Sequence, residues 1–436
     1  MDDVATLKSK YTDLGTIKNL YISSTNDISI DIPRLKTIEN LTIAKSGKVT
    51  INNVTSMVKL SNGYSSYCTD INLPDLVNVE TINLYMDKTA NFNFPNVKKA
   101  KKVYIQGVDN TVVKDLHLDN IEEVTELLEV YGTNINVYLN NFKTGNLKFS
   151  YISSLNGLTL ATNLTGLELY GTDIEELNNS AIKSIAGNLK VYSNSKLKLL
   201  NLSNLESITG SLYISSNYEL LSSSFENLKS IGKNSEDKGL YFYYNNKMTY
   251  LNLNKVESIQ GNFEIQYNTA LTEINFPALT TINKKLYLYN VDKATKFYFP
   301  LLGSVGNDLE MYSNDGLTSM NFDSLKTIGN ALIYKSNYNY TNNSLELKFP
   351  LLDMVGMGIE VTSSNYLKTL ELDKVVTTKY VTIKSNSFLN SISLKGLTSV
   401  DTIIDISGNK STATIYLKSN LTAGQSKIVE GTIIEN

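Results

Sequence analysis

Short segments with alternating apolar and polar positions recur along the chain, most of them starting about 23 residues apart. The clearest are LKVYSN (189–194), LYISSN (212–217), FEIQYN (263–268), LYLYN (286–290), LEMYSN (309–314) and LIYKSN (332–337). Apolar residues at every second position are typical of a half-buried β-strand, and no stretch keeps the 3.6-residue period of a helix. Self-similarity at this period predicts strands stacked coil upon coil.

Each segment is followed by a second short strand and then a connector. Examples are EINF (273–276) with the connector PALTTI (277–282), and FYF (297–299) with PLLGSV (300–305). Strands in register from coil to coil form parallel sheets, and each coil buries its apolar residues against its neighbours. We therefore predict an all-β fold, a right-handed parallel β-solenoid of about 17–18 leucine-rich coils of about 23 residues.

The coils form one continuous domain in this prediction, because no linker rich in Pro, Gly or Ser interrupts them. Residues 1–19 are expected to be an N-terminal cap or linker, 20–417 the coils, and 418–436 a C-terminal edge or cap. Stretches longer than the repeat, at 232–239 and near 338–348, are expected to form surface loops. The segments 58–70 and 110–165 follow the pattern least closely.

Two residue types mark fixed positions in the repeat. Asparagine recurs just after the first strand, where stacked side-chain amides can satisfy the backbone groups of the turn. These residues are Asn194, Asn217, Asn245, Asn268, Asn290, Asn314, Asn337, Asn365, Asn386 and Asn409. All six prolines follow a second strand, where a missing N–H removes no bond between strands. They are Pro33, Pro74, Pro95, Pro277, Pro300 and Pro350.

The repeat resembles the receptor L-domain superfamily, in particular leucine-rich surface proteins of Bacteroidetes and, more distantly, fungal cell-wall proteins of the Ecm/Sps type. The resemblance rests on NLESITGSLYISSNYEL (204–220), KVESIQGNFEIQYNTALTEINFPALTTI (255–282) and SLKTIGNALIYKSN (324–337). It covers about 190–410 well and the remainder by pattern alone. The flanking cysteines of receptor L domains and the Ser/Thr-rich stalk of the fungal proteins are missing. What the resemblance implies is a leucine-rich solenoid and a binding, adhesion or wall-building role.

Composition argues against several classes of function. The net charge of −3 is far from the basic surface that nucleic acids require, so we expect no nucleic-acid partner. With one cysteine, Cys68, and one histidine, His117, the chain has no disulfide framework, no zinc motif and no Ser-His-Asp or Cys-His arrangement. We expect no metal, no cofactor and no catalytic residue. No run approaches the roughly 20 apolar residues of a membrane-spanning helix.

A polysaccharide-degrading enzyme is the third hypothesis, since parallel solenoids also host such enzymes. That chemistry needs paired carboxylates or clustered Asp residues that bind Ca²⁺. Here Glu264, Glu310, Glu360 and Asp405 share one outward row but alternate with Tyr287, Ile333 and Thr382. Such dispersed charge is typical of a solvated surface, so we predict that the protein is not an enzyme.

Tyrosine is the residue type that points to a binding surface. Outward positions of the first strands carry Tyr192, Tyr213, Tyr241, Tyr243, Tyr287, Tyr289 and Tyr312. Such a strip presents rigid amphipathic area that can contact sugar rings or a protein. Tyrosine also stabilises sheets by pairing between strands, so a purely structural role stays open.

The leading hypothesis is a secreted or cell-surface binding or adhesion protein, in which the tyrosines contact a host or matrix protein or a glycan. Its leader or anchor would then lie outside this sequence. The alternative hypothesis is a structural filament or cell-wall component that self-associates through the ends of the solenoid, because uncapped ends expose strand edges.

Overall fold

The computed structural model of the protein describes residues 13–63, 69–87, 91–108, 111–232, 239–338 and 344–435. Every regular element in these ranges is a β-strand, and the strand pairs are parallel. The all-β parallel solenoid predicted from the repeat is thereby confirmed. The chain divides into two compact units, Met1–Glu175 with Asn179–Lys196, and Glu176–Asn178 with Leu197–Asn436. Organisation as one domain stays a prediction.

The first unit stacks two main rows of strands. First-row strands are Thr16–Ser23, Thr37–Lys45, Ser56–Asn62, Asn78–Met86, Lys99–Gly107, Glu123–Tyr131, Thr144–Ser150, Gly166–Tyr170 and Leu189–Tyr192. Second-row strands are Ile28–Asp31, Lys48–Asn52, Asp70–Asn72, Asn91–Asn93, Lys114–His117, Ile135–Leu139 and Ser154–Gly157. A third row begins with Asn163–Leu164 and Ser184–Ile185. Regular strands thus lie within 111–165, in the stretch whose sequence follows the repeat least closely.

The second unit has three rows. First-row strands are Leu212–Ser215, Leu240–Tyr243, Phe263–Gln266, Leu286–Tyr289, Leu309–Tyr312, Ala331–Lys335, Gly358–Thr362, Tyr380–Lys384, Ile403–Ser407 and Ser426–Val429. Second-row strands are Glu176–Asn178, Leu199–Asn201, Ser222–Ser224, Tyr250–Asn252, Glu273–Asn275, Lys296–Tyr298, Ser319–Asn321, Leu345–Lys348, Leu367–Glu371, Ser391–Ser393, Thr414–Leu417 and Thr432–Glu435. Third-row strands are Ser207–Ile208, Ser230–Ile231, Ser258–Ile259, Thr281–Ile282, Ser304–Val305, Thr327–Ile328, Met354–Val355, Thr377–Thr378, Ser399–Val400 and Thr422–Ala423.

The third row is a feature that the sequence did not predict. Its two-residue strands lie inside the connectors, as at Thr281–Ile282 within PALTTI. Two residues are too few to display an alternating pattern, so the row escapes a search for period two. The corner after this row is tight: Gly306 follows the strand Ser304–Val305, and a Cβ there would clash with the carbonyl oxygen of Asn283 in the coil before. Glycine is required there because the coils approach so closely.

The register explains why the repeat buries its core. Leu240 pairs with Phe263, which pairs with Leu286, each step being 23 residues. Inward residues of these strands are fully buried, while the residues between them stay partly exposed. Side chains of the same type therefore lie over one another from coil to coil, about 4.8 Å apart.

Stacked phenylalanines fill the corner after the second-row strands. The rings of Phe276 and Phe299 lie 5.7 Å apart, those of Phe299 and Phe322 lie 5.2 Å apart, and Phe322 lies 5.6 Å from Phe349. Each of the four residues exposes at most 1% of its surface to solvent. Aromatic pairs of this kind contribute beyond the area that they bury, so the stack is a main source of stability.

Phe299→Ala is expected to lower the free energy of unfolding by about 3–5 kcal/mol, the usual cost of deleting a buried ring. The matched control is Phe388→Ala, because Phe388 is 60% exposed and its loss should cost about 0.5 kcal/mol or less. Urea unfolding followed by circular dichroism measures both. Equal effects in the two variants would mean that the stack contributes little.

The asparagine row is confirmed at most of its predicted positions. Asn245, Asn268 and Asn314 are fully buried, and the side-chain amide of Asn268 donates to the carbonyl oxygen of Phe242 at 2.8 Å. Its side-chain oxygen accepts the backbone N–H of Asn245 at 3.0 Å, which joins successive coils. The same pattern recurs at Asn386, which bonds the carbonyl oxygen of Val361.

The prediction is wrong for two of the asparagines, Asn290 and Asn365, which do not lie in the buried row. Asn290 lies one position early, where the backbone φ is +53°, and Val291 occupies the row position and donates its N–H to Asn314. Ser364, not Asn365, occupies the position one coil before Asn386. Asparagine tolerates a left-handed φ, which accounts for its place at residue 290. The proline prediction holds for all six, each of which follows a second-row strand.

Several predicted features lie outside the described residues. These are Cys68, the core of the irregular segment 58–70, most of the loop at 232–239, and residues 339–343 of the insertion near 338–348. Within the part of the chain that is described, no helix is long and apolar enough to cross a membrane.

Candidate binding surface

The first-row strands of the second unit carry tyrosines on their outward side, as predicted. Alternation along Leu240–Tyr243 buries Leu240 and Phe242 and leaves Tyr241 and Tyr243 partly exposed. The predicted residues of this unit that take such outward positions are Tyr213, Tyr241, Tyr243, Tyr287, Tyr289 and Tyr312. Because neighbouring strands are in register, these side chains lie in two parallel rows across the sheet.

The outward tyrosines form two groups of three. In the first, Tyr213 lies 6.2 Å from Tyr241 and 5.9 Å from Tyr243, measured between ring centroids. In the second, Tyr287 lies 6.0 Å from Tyr289 and 5.7 Å from Tyr312. Most of these pairs are tilted or edge-on, the arrangements that aromatic rings prefer. Each ring is held by its neighbours, so the surface is rigid.

Two tyrosines that the sequence analysis missed join the second group. Tyr244 stacks on Tyr267 with centroids 4.6 Å apart and an interplanar angle of 7°, and Tyr267 lies 4.8 Å from Tyr289. With them, eight residues make up what we call the tyrosine face: Tyr213, Tyr241, Tyr243, Tyr244, Tyr267, Tyr287, Tyr289 and Tyr312. The face covers the five coils whose first-row strands run from Leu212–Ser215 to Leu309–Tyr312.

The backbone of these two added tyrosines is unusual. Tyr244 and Tyr267 have φ values of +56° and +55°, in the left-handed region that disfavours bulky residues by about 1–2 kcal/mol. Neighbouring coils carry smaller residues in this turn, such as Ser216, Ser313 and Ser336. A large ring at such a position costs stability, which favours a role for the ring itself.

A carboxylate lies between the two groups of tyrosines. Glu264 accepts hydrogen bonds from the hydroxyl of Tyr243 at 2.5 Å, from the amide of Asn262 at 3.0 Å and from the amide of Gln266 at 2.9 Å. Burial, together with the bond to Glu264, raises the pKa of the Tyr243 hydroxyl. Tyr243 therefore remains a neutral donor, and the donors that hold Glu264 among the described residues are all neutral.

A lysine and a second carboxylate flank the other group. The ammonium of Lys285 lies 4.1 Å from the ring centroid of Tyr287 and 3.0 Å from a carboxylate oxygen of Glu310. Burial and the nearby carboxylate of Glu310 raise the pKa of the Tyr312 hydroxyl. The tyrosine face thus combines flat rings with fixed hydrogen-bonding groups, and the Lys285–Glu310 pair neutralises one of its two carboxylates.

Tyr192, the seventh predicted residue, lies in the first unit with a different set of rings. It stacks on Tyr170 at 4.7 Å, and Tyr170 lies 5.1 Å from Tyr151, which lies 5.4 Å from Tyr131. The hydroxyl of Tyr192 donates to Glu168 at 2.8 Å. The structure therefore places Tyr192 in a separate ladder of tyrosines within its own unit.

The acidic row is arranged as the sequence indicated. Glu264 pairs in register with Tyr287, and that residue with Glu310, while Glu360 and Asp405 follow further along. Lys335 lies 2.8 Å from Glu360, and Lys384 lies 2.9 Å from Asp405. Among the described residues no group of three or more His, Cys, Asp or Glu side chains is arranged to hold a metal ion.

His117 lies at an exposed position at the end of the second-row strand Lys114–His117. Its ring stacks on Tyr138 at 4.5 Å, and Nδ1 lies 3.0 Å from a carboxylate oxygen of Asp119. With 61% of the side chain exposed, it is an ordinary surface residue of the second row.

Comparison with known proteins agrees with the repeat architecture. Residues 182–273 match the family described as Receptor L domain. No curated protein matches the chain. The matched segment includes all three tyrosines of the first group, and it supports receptor-L-domain-like repeats in this region. Such domains, like repeat solenoids in general, are typical of non-enzymatic binding proteins.

Ionisation of Tyr267 provides a test of the ring geometry. Its hydrogen bond with Tyr289 raises the pKa of the Tyr267 hydroxyl to about 12. Because the pKa of Tyr267 is raised in the folded protein, this hydrogen bond contributes fully to the stability of the fold below the ordinary pKa near 10. The contribution is lost as the pH rises through about 12. The phenolate absorbance that distinguishes the wild type from Tyr267→Phe should therefore develop only near pH 12. A difference that is complete near pH 10 in folded protein would contradict the geometry.

Proposed function

We propose that the protein is a secreted or cell-surface binding or adhesion protein, and that its tyrosine face contacts a glycan or protein partner. The observation that carries this proposal is the set of eight partly exposed tyrosines on five successive coils, two of which occupy left-handed turn positions. Stabilisation of the sheet accounts for rings on the strands. It does not account for Tyr244 and Tyr267, since serine serves in the same turn of neighbouring coils.

The chemistry of the face suits recognition of a polar partner with flat or apolar patches. Tyrosine has only two side-chain torsions, so fixing it in a complex costs little entropy. The rings here are already held by one another at 4.6–6.4 Å, which lowers that cost further. Glu264 and Gln266 place hydrogen-bonding groups between the rings. Sugar hydroxyls and backbone amides are both suitable partners for such groups.

A location outside the cell belongs to the same proposal. It is supported by the match of residues 182–273 to Receptor L domain, a family named for its occurrence in receptors.

The test is a binding screen of the purified protein against a glycan array and immobilised matrix proteins. A saturable interaction that a soluble form of the same partner competes away is expected. If neither panel binds at micromolar protein, a contact role for the face is contradicted.

A further inference from the structure

A second surface of interest lies in the first unit, on the outward side of three neighbouring first-row strands. A cleft of about 380 Å³ is lined by Lys59, Thr81, Asn83, Lys102 and Tyr104, with Ile82 at its floor. Lys59 pairs in register with Thr81, and Thr81 with Lys102, so the three side chains follow one another across the sheet. Asn83 and Tyr104 occupy the next outward row. The cleft is thus built by regular strands and not by loops.

The two lysines of the cleft lack ionic partners. Two other lysines of the strand that carries Lys102 are paired: Lys99 lies 2.7 Å from Glu123, and Lys101 lies 3.5 Å from Glu126. Across the described part of the chain, neither Lys59 nor Lys102 has a carboxylate within ion-pair distance. Their backbones are two strand spacings apart, about 10 Å, with the Thr81 hydroxyl between them. Three donors therefore point to one strip of surface, which attracts an anionic group.

Asn83 adds a hydrogen-bond acceptor beside these three donors. Its side-chain oxygen is buried and accepts no hydrogen bond from any residue that the structure describes. Buried acceptors without partners are rare in folded proteins, and a ligand that supplies a donor removes the penalty. The neighbouring ring of Tyr104 is fixed by a 2.7 Å hydrogen bond from its hydroxyl to Gln106 and by edge contact with Tyr85. A flat surface thus borders the acceptor.

We infer that this cleft binds a saccharide that carries a carboxylate. The carboxylate lies among Lys59, Thr81 and Lys102, a sugar hydroxyl donates to the side-chain oxygen of Asn83, and the sugar ring rests on Tyr104. A small inorganic anion held by the lysines has no sugar ring to rest on Tyr104 and no separate hydroxyl to donate to Asn83. The inference does not depend on the tyrosine face, because every residue involved belongs to the first unit.

The test uses the full chain and an oligosaccharide of galacturonic acid, with its methyl-ester form and inorganic phosphate as comparison probes. Titration calorimetry at low salt should detect the uronate oligosaccharide, with at least 10-fold weaker binding of the ester and of phosphate. Affinity should fall as salt is added, since the contact is partly ionic. Equal affinity for the acid and its ester, or no binding of the acid, would overturn the inference.

Substitution of the residues that line the cleft tests whether the uronate binds there. Lys59→Gln with Lys102→Gln should weaken uronate binding at least 10-fold, and Asn83→Leu should weaken it without changing net charge. The matched control is Lys18→Gln with Lys36→Gln, two exposed lysines of the same unit with the same loss of charge. A variant of the tyrosine face should bind the uronate normally, which separates failure of this inference from failure of the proposed function. Equal weakening by both lysine pairs would show a general charge effect and overturn the site.

Discussion

Exchange of Tyr241, Tyr243, Tyr287 and Tyr289 for serine is expected to weaken partner binding by more than 100-fold while the solenoid stays folded. These residues lie in both groups of the tyrosine face, and truncation of an aromatic residue at the centre of an interface commonly costs about 2 kcal/mol or more. The fold should survive because outward ring pairs contribute only about 0.2–1 kcal/mol each. Surface plasmon resonance with the partner found in the screen measures the affinity.

The matched control exchanges four tyrosines of the second unit that lie outside the face: Tyr218, Tyr250, Tyr298 and Tyr416. It removes the same number of rings, and two of them, Tyr218 and Tyr250, are about half exposed. Circular dichroism should show that both variants are folded. Full affinity in the face variant, or equal losses in the two variants, would point to a structural role for the tyrosines.

Asn268→Ala is expected to lower the free energy of unfolding by about 3 kcal/mol or more. The side chain is fully buried and donates to the carbonyl oxygens of Phe242 and Gln266 at 2.8 and 2.9 Å. It also accepts the N–H of Asn245 at 3.0 Å. Alanine leaves these backbone groups buried without that partner, and each unsatisfied group costs about 1–3 kcal/mol.

Asn290→Ser provides the comparison for that substitution. Asn290 occupies the left-handed turn position, where the next coils carry Ser313 and Ser336. Serine should therefore be accepted there with a loss of about 1 kcal/mol or less. Urea unfolding of both variants distinguishes the two positions. A loss at Asn290 as large as that at Asn268 would contradict the placement of Asn290 outside the buried row.

The repeat made most of the fold predictable, because one pattern is imposed at every coil. Apolar residues at alternate positions specify the strands, and the spacing of Phe263, Leu286 and Leu309 specifies the register. The asparagine row was predicted by residue type rather than by position within the coil. That is why Asn290 and Asn365 were included, although each lies one residue away from the buried position.

The candidate surface was only partly predictable. Strand alternation indicated that Tyr241 and Tyr243 point outward, but it carries no information on the turn that follows. Tyr244 and Tyr267 join the face because of their left-handed backbone, which depends on how successive turns stack. In the same way, the cleft at Lys59 and Lys102 arises from residues 43 positions apart that the coils bring into one row.

The most direct test of a binding role for the tyrosine face is hydroxyl-radical footprinting of the wild-type protein, alone and saturated with its partner. The account predicts reduced oxidation of Tyr241, Tyr243, Tyr287 and Tyr289 in the complex, with no change at the exposed Tyr218 and Tyr250. Protection of Tyr218 or Tyr250 with unchanged oxidation across the face would contradict it.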